Sequence, residues 1–222
     1  MSPNNIYIKF LQKVNKNYTN DNISVDKGRF ILLYNEAQNK FIEWVLEKRN
    51  EDDIRDIQNL VVTDKKLDIN SAGDINDSFK LPKNYFSFIN VNVKATKNKC
   101  KNTNINSFEV KGENLNELLN DFNNKPSFLF RETFYTFGNN NIIIYKDDFD
   151  ISKVFMSYYR YPQSIDINGY IKIDGSTSTD VDSEFDDRIT DRIISLCAKD
   201  FNSNNDNLER YQVDKDRIVS KI

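Results

Sequence analysis

Apolar positions recur every three or four residues at both ends of the chain and every second residue in between. In "NNIYIKFLQKVNKNY", residues 4–18, Ile6, Phe10, Leu11 and Val14 fall on one face and predict a short amphipathic helix. The stretch "NISVDKGRFILLYNEAQNKFIEWVLEKR" offers Ser24 or Asp26 as a cap, then a helix ending near Arg49. Phe30, Leu33, Tyr34, Ala37, Phe41, Trp44 and Val45 form one stripe on it, and Ile31, Gln38, Ile42 and Leu46 a second beside it. So wide an apolar surface is covered on more than one side. The helix is therefore expected at the centre of the core, with the second stripe a candidate contact for another subunit. Ile54, Ile57 and Leu60 continue as a third helix over 51–61.

From Thr63 the period changes to two. "KLDI" and "YFSFINVNVKA" alternate as strands, with Pro82 before the second run and not inside it. Asn114 and Glu117 form a capping pattern for a brief helix carrying Leu115, Leu118, Leu119 and Phe122, which ends before Pro126. "PSFLFRETFYTFGNNNIIIYKDDF" reads as two strands around Gly138-Asn139-Asn140, residues that tolerate positive φ and favour a tight hairpin. The return strand Ile142, Ile143, Ile144, Tyr145 is apolar on both faces and is expected in the sheet interior. "ISKVFMSYYRYP" and "GYIKIDG" add two further strands. In "SEFDDRITDRIISLCAKDF", Phe185, Ile189, Ile193, Leu196, Cys197 and Phe201 share one helical face. The tail from 202 opens as a polar linker and closes as a charged, weakly amphipathic piece.

These elements make an α+β fold: a helical body from the N- and C-terminal helices, a central antiparallel β region and an extended C-terminal arm. The expected organisation is a single domain over 1–201, with helices in 4–62 and 183–201 and the β region in 67–174, followed by the arm 202–222. At 222 residues the chain is long enough to bury a core without disulfide or metal staples. The arm has too little apolar content to hold that core, so deleting 203–222 is expected to leave a folded subunit defective in assembly. Trp44 in the core would cost about 3–5 kcal/mol on truncation to alanine.

Asp180, Asp182, Glu184, Asp186 and Asp187, with Asp174 upstream, raise the question of a cation site. An EF-hand loop needs glycine at its sixth position and a bidentate acid at its twelfth. Counting from Asp174 places Thr179 and Phe185 there. A helix start explains the cluster better: Ser183 as cap, Asp186 at the third helical position, and acids near the positive end of the dipole. Asp147, Asp148 and Asp150 read as a polar turn.

The chain has no histidine, 31 Lys and Arg against 34 Asp and Glu, and a net charge of -3. The missing imidazole removes Ser-His-Asp and Cys-His nucleophile systems and HExxH zinc chemistry. Cys100 and Cys197 form no CxxC unit, and neither GxGxxG nor GxxxxGK[ST] occurs. No catalytic, cofactor-binding or metal-ligating residue is therefore assigned, and no cofactor is expected. The mixed charge gives no broad field for nucleic acid or an anionic membrane, and neither a spanning helix nor a signal peptide is read, so a cytoplasmic protein is expected. The 16 Phe and 11 Tyr suit interfaces as well as cores.

At "YRYPQSIDINGYIKIDGSTSTDVDSEFDDRITDRIISLCAKD" the chain resembles a virion structural protein of crAss-like and related tailed phages. "SPNNIYIKFLQKVNKNYTND", "GRFILLYNEAQNKFIEWVLEKR" and "PSFLFRETFYTFGNNNIIIY" take part, so nearly the whole chain is covered. The resemblance implies a head–tail connector: a non-enzymatic adaptor or ring protein that docks on the portal and continues the DNA channel towards the tail. It implies a closed, dodecameric ring in the virion neck, assembled in the host cytoplasm. The implied partners are the portal, other neck or tail rings, and double-stranded DNA passing through without specific binding. Acidic walls would let the phosphate backbone slide. Candidate contacts with a neighbouring subunit or ring are Ile31, Ile42 and Leu46 of the second stripe, Phe137, Asn139 and Asn140 of the hairpin, and Arg210, Tyr211 and Arg217 of the arm. The alternatives are another phage tail or capsid-associated protein, or a carboxylate-dependent metal enzyme such as a nuclease using Asp180 and Asp182.

Overall fold

The computed structural model describes residues 1–15, 24–48, 51–172 and 174–219, with the side chains of residues 52 and 204–219 outside the description. Five α-helices and eight strands form among the described residues, an α+β fold in two compact units. The helical unit takes Met1–Asn59 and Pro162–Ile222, and the β unit takes Leu60–Tyr161. The β unit begins earlier than 67 and ends before 174.

The helical unit holds α1 (Pro3–Asn15), α2 (Lys27–Lys48), α3 (Glu51–Asp56) and, beyond α4 (Gly112–Asn120) of the β unit, α5 (Asp187–Val219). Ile6, Phe10 and Val14 of α1, Phe30 and Tyr34 of α2, and Ile193, Cys197 and Phe201 of α5 are buried. Phe10 lies 5.1 Å from Phe30 and 5.8 Å from Phe201 between ring centroids, tilted and edge-on, the geometries that aromatic quadrupoles favour. Asp26 caps α2, accepting a hydrogen bond from Arg29 N at 3.0 Å.

The cap of α5 is Asp186 and not Ser183: Ile189 N donates to Asp186 Oδ1 at 2.9 Å, and the helix begins one residue later. The Ser183 hydroxyl instead accepts from Phe185 N at 3.3 Å and lies 3.2 Å from the Thr190 hydroxyl. Beyond 201 the backbone of α5 continues to Val219, where the sequence pattern predicts a polar linker.

The second stripe of α2 belongs to the unit's own core. Ile42 is fully buried and Ile31 nearly so, while Leu46 is half-buried. The backbone of 163–165 is tied along this side of the helix. Ile165 N donates to Asn35 Oδ1 at 3.0 Å, Asn35 Nδ2 donates back to Ile165 O at 3.2 Å, and Gln38 Nε2 donates to Gln163 O at 3.1 Å. Ile42 is therefore corrected from an interface candidate to a core residue, because a returning segment of the same chain pairs with the polar groups beside it, whereas Ile31, though mostly buried, lines the groove next to that segment.

After α3 the chain makes a 3-10 turn at Gln58–Leu60 and enters the β unit with β1 (Val61–Lys66), where a longer helix is predicted. The branched side chains of Val61, Val62 and Thr63 favour the extended backbone. β2 (Ile69–Ala72), β3 (Asn76–Lys80), β4 (Tyr85–Lys97), β5 (Cys100–Glu109), β6 (Glu132–Gly138), β7 (Asn141–Tyr145) and β8 (Asp150–Arg160) complete one sheet. Its order is β1-β8-β4-β5-β6-β7-β3-β2. Every neighbouring pair is antiparallel except β5 and β6, which run parallel with α4 in the crossover. β7 lies between β6 and β3, an interior position that suits its apolar faces. Val91, Val93, Tyr135, Ile142, Ile144, Val154, Met156 and Tyr158 form the core on one face. "GYIKIDG" contributes no sheet strand. Ile171 makes one isolated bridge to Thr177, and Asp166 one to Val181.

Candidate interaction surfaces

The hairpin candidates stand together. Asn139 (φ 50°) and Asn140 (φ 58°) occupy a two-residue turn closed by the Gly138–Asn141 pair, the type I′ geometry that asparagine tolerates. Phe137 is partly exposed, but its ring lies 5.2 Å from Phe88 and 5.7 Å from Tyr135. It is anchored in its own unit with one side free. Arg210, Tyr211 and Arg217 fall on the stretch of α5 whose side chains lie outside the description.

The most exposed large apolar side chains of the β unit sit elsewhere. Phe122, Leu129 and Phe130 are 84%, 81% and 68% exposed, and they fall within nine consecutive residues. Two short turns build this protrusion. Asp121 ends α4 and folds the chain back by accepting from Asn123 N at 2.9 Å. Ser127 and Glu132 then close a loop around Phe128 to Arg131 by exchanging backbone bonds at 2.9 and 3.1 Å. Phe128 turns inward against Phe149, with ring centroids 6.2 Å apart, and leaves Leu129 and Phe130 outside. Lys125 pairs with Asp147 at 2.8 Å and also lies over the Phe122 ring.

On the helical unit the corresponding feature is a groove of about 950 Å³ between α2 and the 164–181 segment. Leu32 and Ile171 stand on it at 69% and 76% exposure, above Ile31, Ile165 and Val181. Asp166 fixes its floor. Its carboxylate accepts from Lys172 at 2.7 Å, Tyr170 Oη at 2.8 Å, Ile167 N at 2.9 Å and Thr179 N at 3.3 Å. Burial alone would raise the Asp166 pKa, but these donors outweigh it and hold the carboxyl below its ordinary value. Burial, followed by the bond to Asp166, pushes Tyr170 up to about 12. The groove floor is therefore a charged but internally satisfied network.

Five acids of the acidic segment, Asp174, Asp180, Glu184, Asp186 and Asp187, take part in local structure. Asp180 accepts from Asn168 N at 2.8 Å, Glu184 from Gln163 N at 2.7 Å, and Asp174 from Ser176 N at 3.0 Å. Asp187 lies 3.4 Å from the Met1 amino group. Among the described residues no three His, Cys, Asp or Glu side chains gather closely enough to hold a metal ion, and no helix is long and apolar enough to cross a membrane. Burial pushes the Cys197 thiol up to about 12, far from the thiolate a nucleophile needs.

The two units differ in charge. The β unit carries 14 Lys and Arg against 12 Asp and Glu, and the helical unit 17 against 22. Sequence patterning missed the protruding and groove residues for separate reasons. Leu129 and Phe130 sit in a run that reads as a strand, and Phe122 closes what reads as a helix face. Leu32 offered a signal, since it falls in neither stripe of α2. No protein-family model matches the chain, and comparison with curated proteins finds no match.

Proposed function

We propose that the chain is a non-enzymatic structural subunit of a tailed-phage virion, a head–tail connector ring or adaptor that docks on the portal and continues the DNA channel towards the tail. The sequence resemblance over nearly the whole chain supplies the family. The observation that carries the assembly role is a pair of unlike apolar surfaces, the Phe122–Phe130 protrusion and the groove under Leu32 and Ile171. Contiguous exposed apolar side chains on a folded chain mark contact surfaces. A ring of identical subunits needs two that differ, because each subunit meets one neighbour on each side. The acid surplus of the helical unit suits a wall along which DNA slides. The portal and adjoining neck rings are the remaining partners in this reading.

Quantitative mass spectrometry of purified virions of the encoding phage tests it. The expected result is this chain in fixed, ring-like proportion to the portal protein. Virions that package and eject DNA without the chain overturn the reading.

A further inference from the structure

We propose that the Phe122–Phe130 protrusion of one copy docks in the α2 groove of a second copy, a head-to-tail contact between unlike surfaces. The proposal rests on the reading that the chain assembles with itself, and names the surfaces that do so.

Three observations single out this occupant. The first is shape. Phe122, Leu129 and Phe130 stand exposed on two short turns, whereas Leu32 and Ile171 border a groove of about 950 Å³, which is of the size that takes up several side chains. A two-fold pairing of like with like covers one kind of surface and leaves the other in water, whereas the unlike pairing covers both. The second is area. An aromatic side chain buries about 150–250 Å², so Phe122 and Phe130, at 84% and 68% exposure, supply about 230–380 Å² of the ~800 Å² that each partner contributes to a standard interface. Leu129 and the turn backbone add to this.

The third is charge. The protrusion belongs to the unit with a basic surplus and the groove to the unit with an acidic one, 14 against 12 and 17 against 22. Opposite fields favour the unlike pairing over either like pairing and speed the encounter. Arg131 follows Phe130 directly and is exposed beside Glu132, and the groove lining holds Asp26, Asp166 and Asp174 against Arg29 and Lys172.

Complementation between blocked subunits tests the contact. Leu129→Asp with Phe130→Asp removes the protrusion, and Leu32→Asp with Ile171→Asp blocks the groove. Every one of these side chains is exposed, and melting curves matching the unaltered chain establish that both variants fold. In sedimentation velocity the unaltered chain is expected to form species larger than a dimer as concentration rises. Each variant alone is expected to stay monomeric, and an equimolar mixture to form a dimer and nothing larger, since one functional contact remains per pair. Assembly of either variant like the unaltered chain overturns the protrusion-in-groove contact and leaves self-assembly standing. An unaltered chain that stays monomeric at every concentration overturns both. As a second measurement independent of charge insertion, Phe130→Cys with Ile171→Cys in a Cys100→Ser background is oxidised and run without reductant. A ladder of dimers, trimers and higher species supports the contact. A dimer band alone, a crosslink confined to the monomer, or no crosslink overturns it.

Discussion

The guanidinium of Arg192 lies 5.7 Å from the ring centroid of Trp44. The same group stands 5.1 Å from the Phe41 centroid, and its nitrogens reach Asp56 at 2.7 Å and Asp53 at 3.1 Å, so one arginine joins α5 to both α2 and α3. Lys48 covers the indole at 4.4 Å. Trp44 is 36% exposed and stacks on Phe41. It is a cover on the core and not part of its interior, which corrects the expectation from the stripe pattern.

Trp44→Ala accordingly removes a stacked ring pair and cation–π contacts without opening an internal cavity. A loss of about 1–2 kcal/mol is expected in urea unfolding followed by circular dichroism, in place of the larger cost of a core truncation. Arg192→Ala removes two charge-assisted bonds to side chains that are themselves largely buried, and is expected to cost about 2 kcal/mol. The single tryptophan reports that unfolding by fluorescence. Arg192→Lys is not expected to restore it, because an ammonium cannot reach both carboxylates while lying flat on the rings.

The β unit contains a nearly buried ion pair. Lys146 Nζ lies 2.8 Å from Asp77 Oδ1, with side chains 11% and 4% exposed. Gly73 N also donates to that carboxylate at 3.3 Å. Lys146→Met leaves the Asp77 charge buried without its cation and is expected to cost about 3–5 kcal/mol. Adding Asp77→Asn removes the stranded charge, so the double variant is expected to recover much of the loss in denaturant unfolding. A double variant less stable than Lys146→Met contradicts the pairing.

Asp166 links the groove floor to pH. Its folded pKa lies below the ordinary carboxylate value of about 3.9, so the folded state binds fewer protons than the unfolded state as acid is added. The stabilisation is complete above about pH 4 and is lost as pH falls through the lower folded value. Asp166→Asn removes the charge that Lys172 and Tyr170 donate to. The gap in melting temperature between the unaltered chain and this variant is expected to be widest near neutrality and to close on acidification below about pH 4. A gap that stays constant across that range contradicts the account.

The hairpin turn gives a backbone test. Asn140 holds φ at 58°, which a β-branched residue resists. Asn140→Val is expected to cost about 1–2 kcal/mol. Asn140→Gly is expected to leave stability unchanged or to raise it, since glycine takes positive φ without a Cβ penalty. Equal melting curves for the two variants contradict the turn assignment.

How far these features show in the sequence depends on whether they are local. The Asn139–Asn140 turn, the cap at Asp26 and the central helix α2 follow from neighbouring residues, and the structure agrees with each. β5 escaped notice because "CKNTNINSFE" turns only Ile105 fully into the core, and its asparagines and lysines disfavour strands. The pairing of 163–165 with Asn35 and Gln38 is set by residues about 125 to 130 positions apart. No periodicity within α2 distinguishes a stripe covered by the same chain from one left for another, and so the fully buried Ile42 reads as an interface residue. The groove beside α2 is equally non-local, since half of it comes from a segment without regular structure.

The proposed contacts require the chain to be a ring subunit in the neck of a virion. A cryo-electron microscopy reconstruction of the neck of the encoding phage tests this most directly. The predicted result is a closed ring of copies beneath the portal into which this fold fits, with the Phe122–Phe130 turns facing the adjoining subunit. A neck resolved to side-chain detail in which every ring belongs to another chain contradicts it.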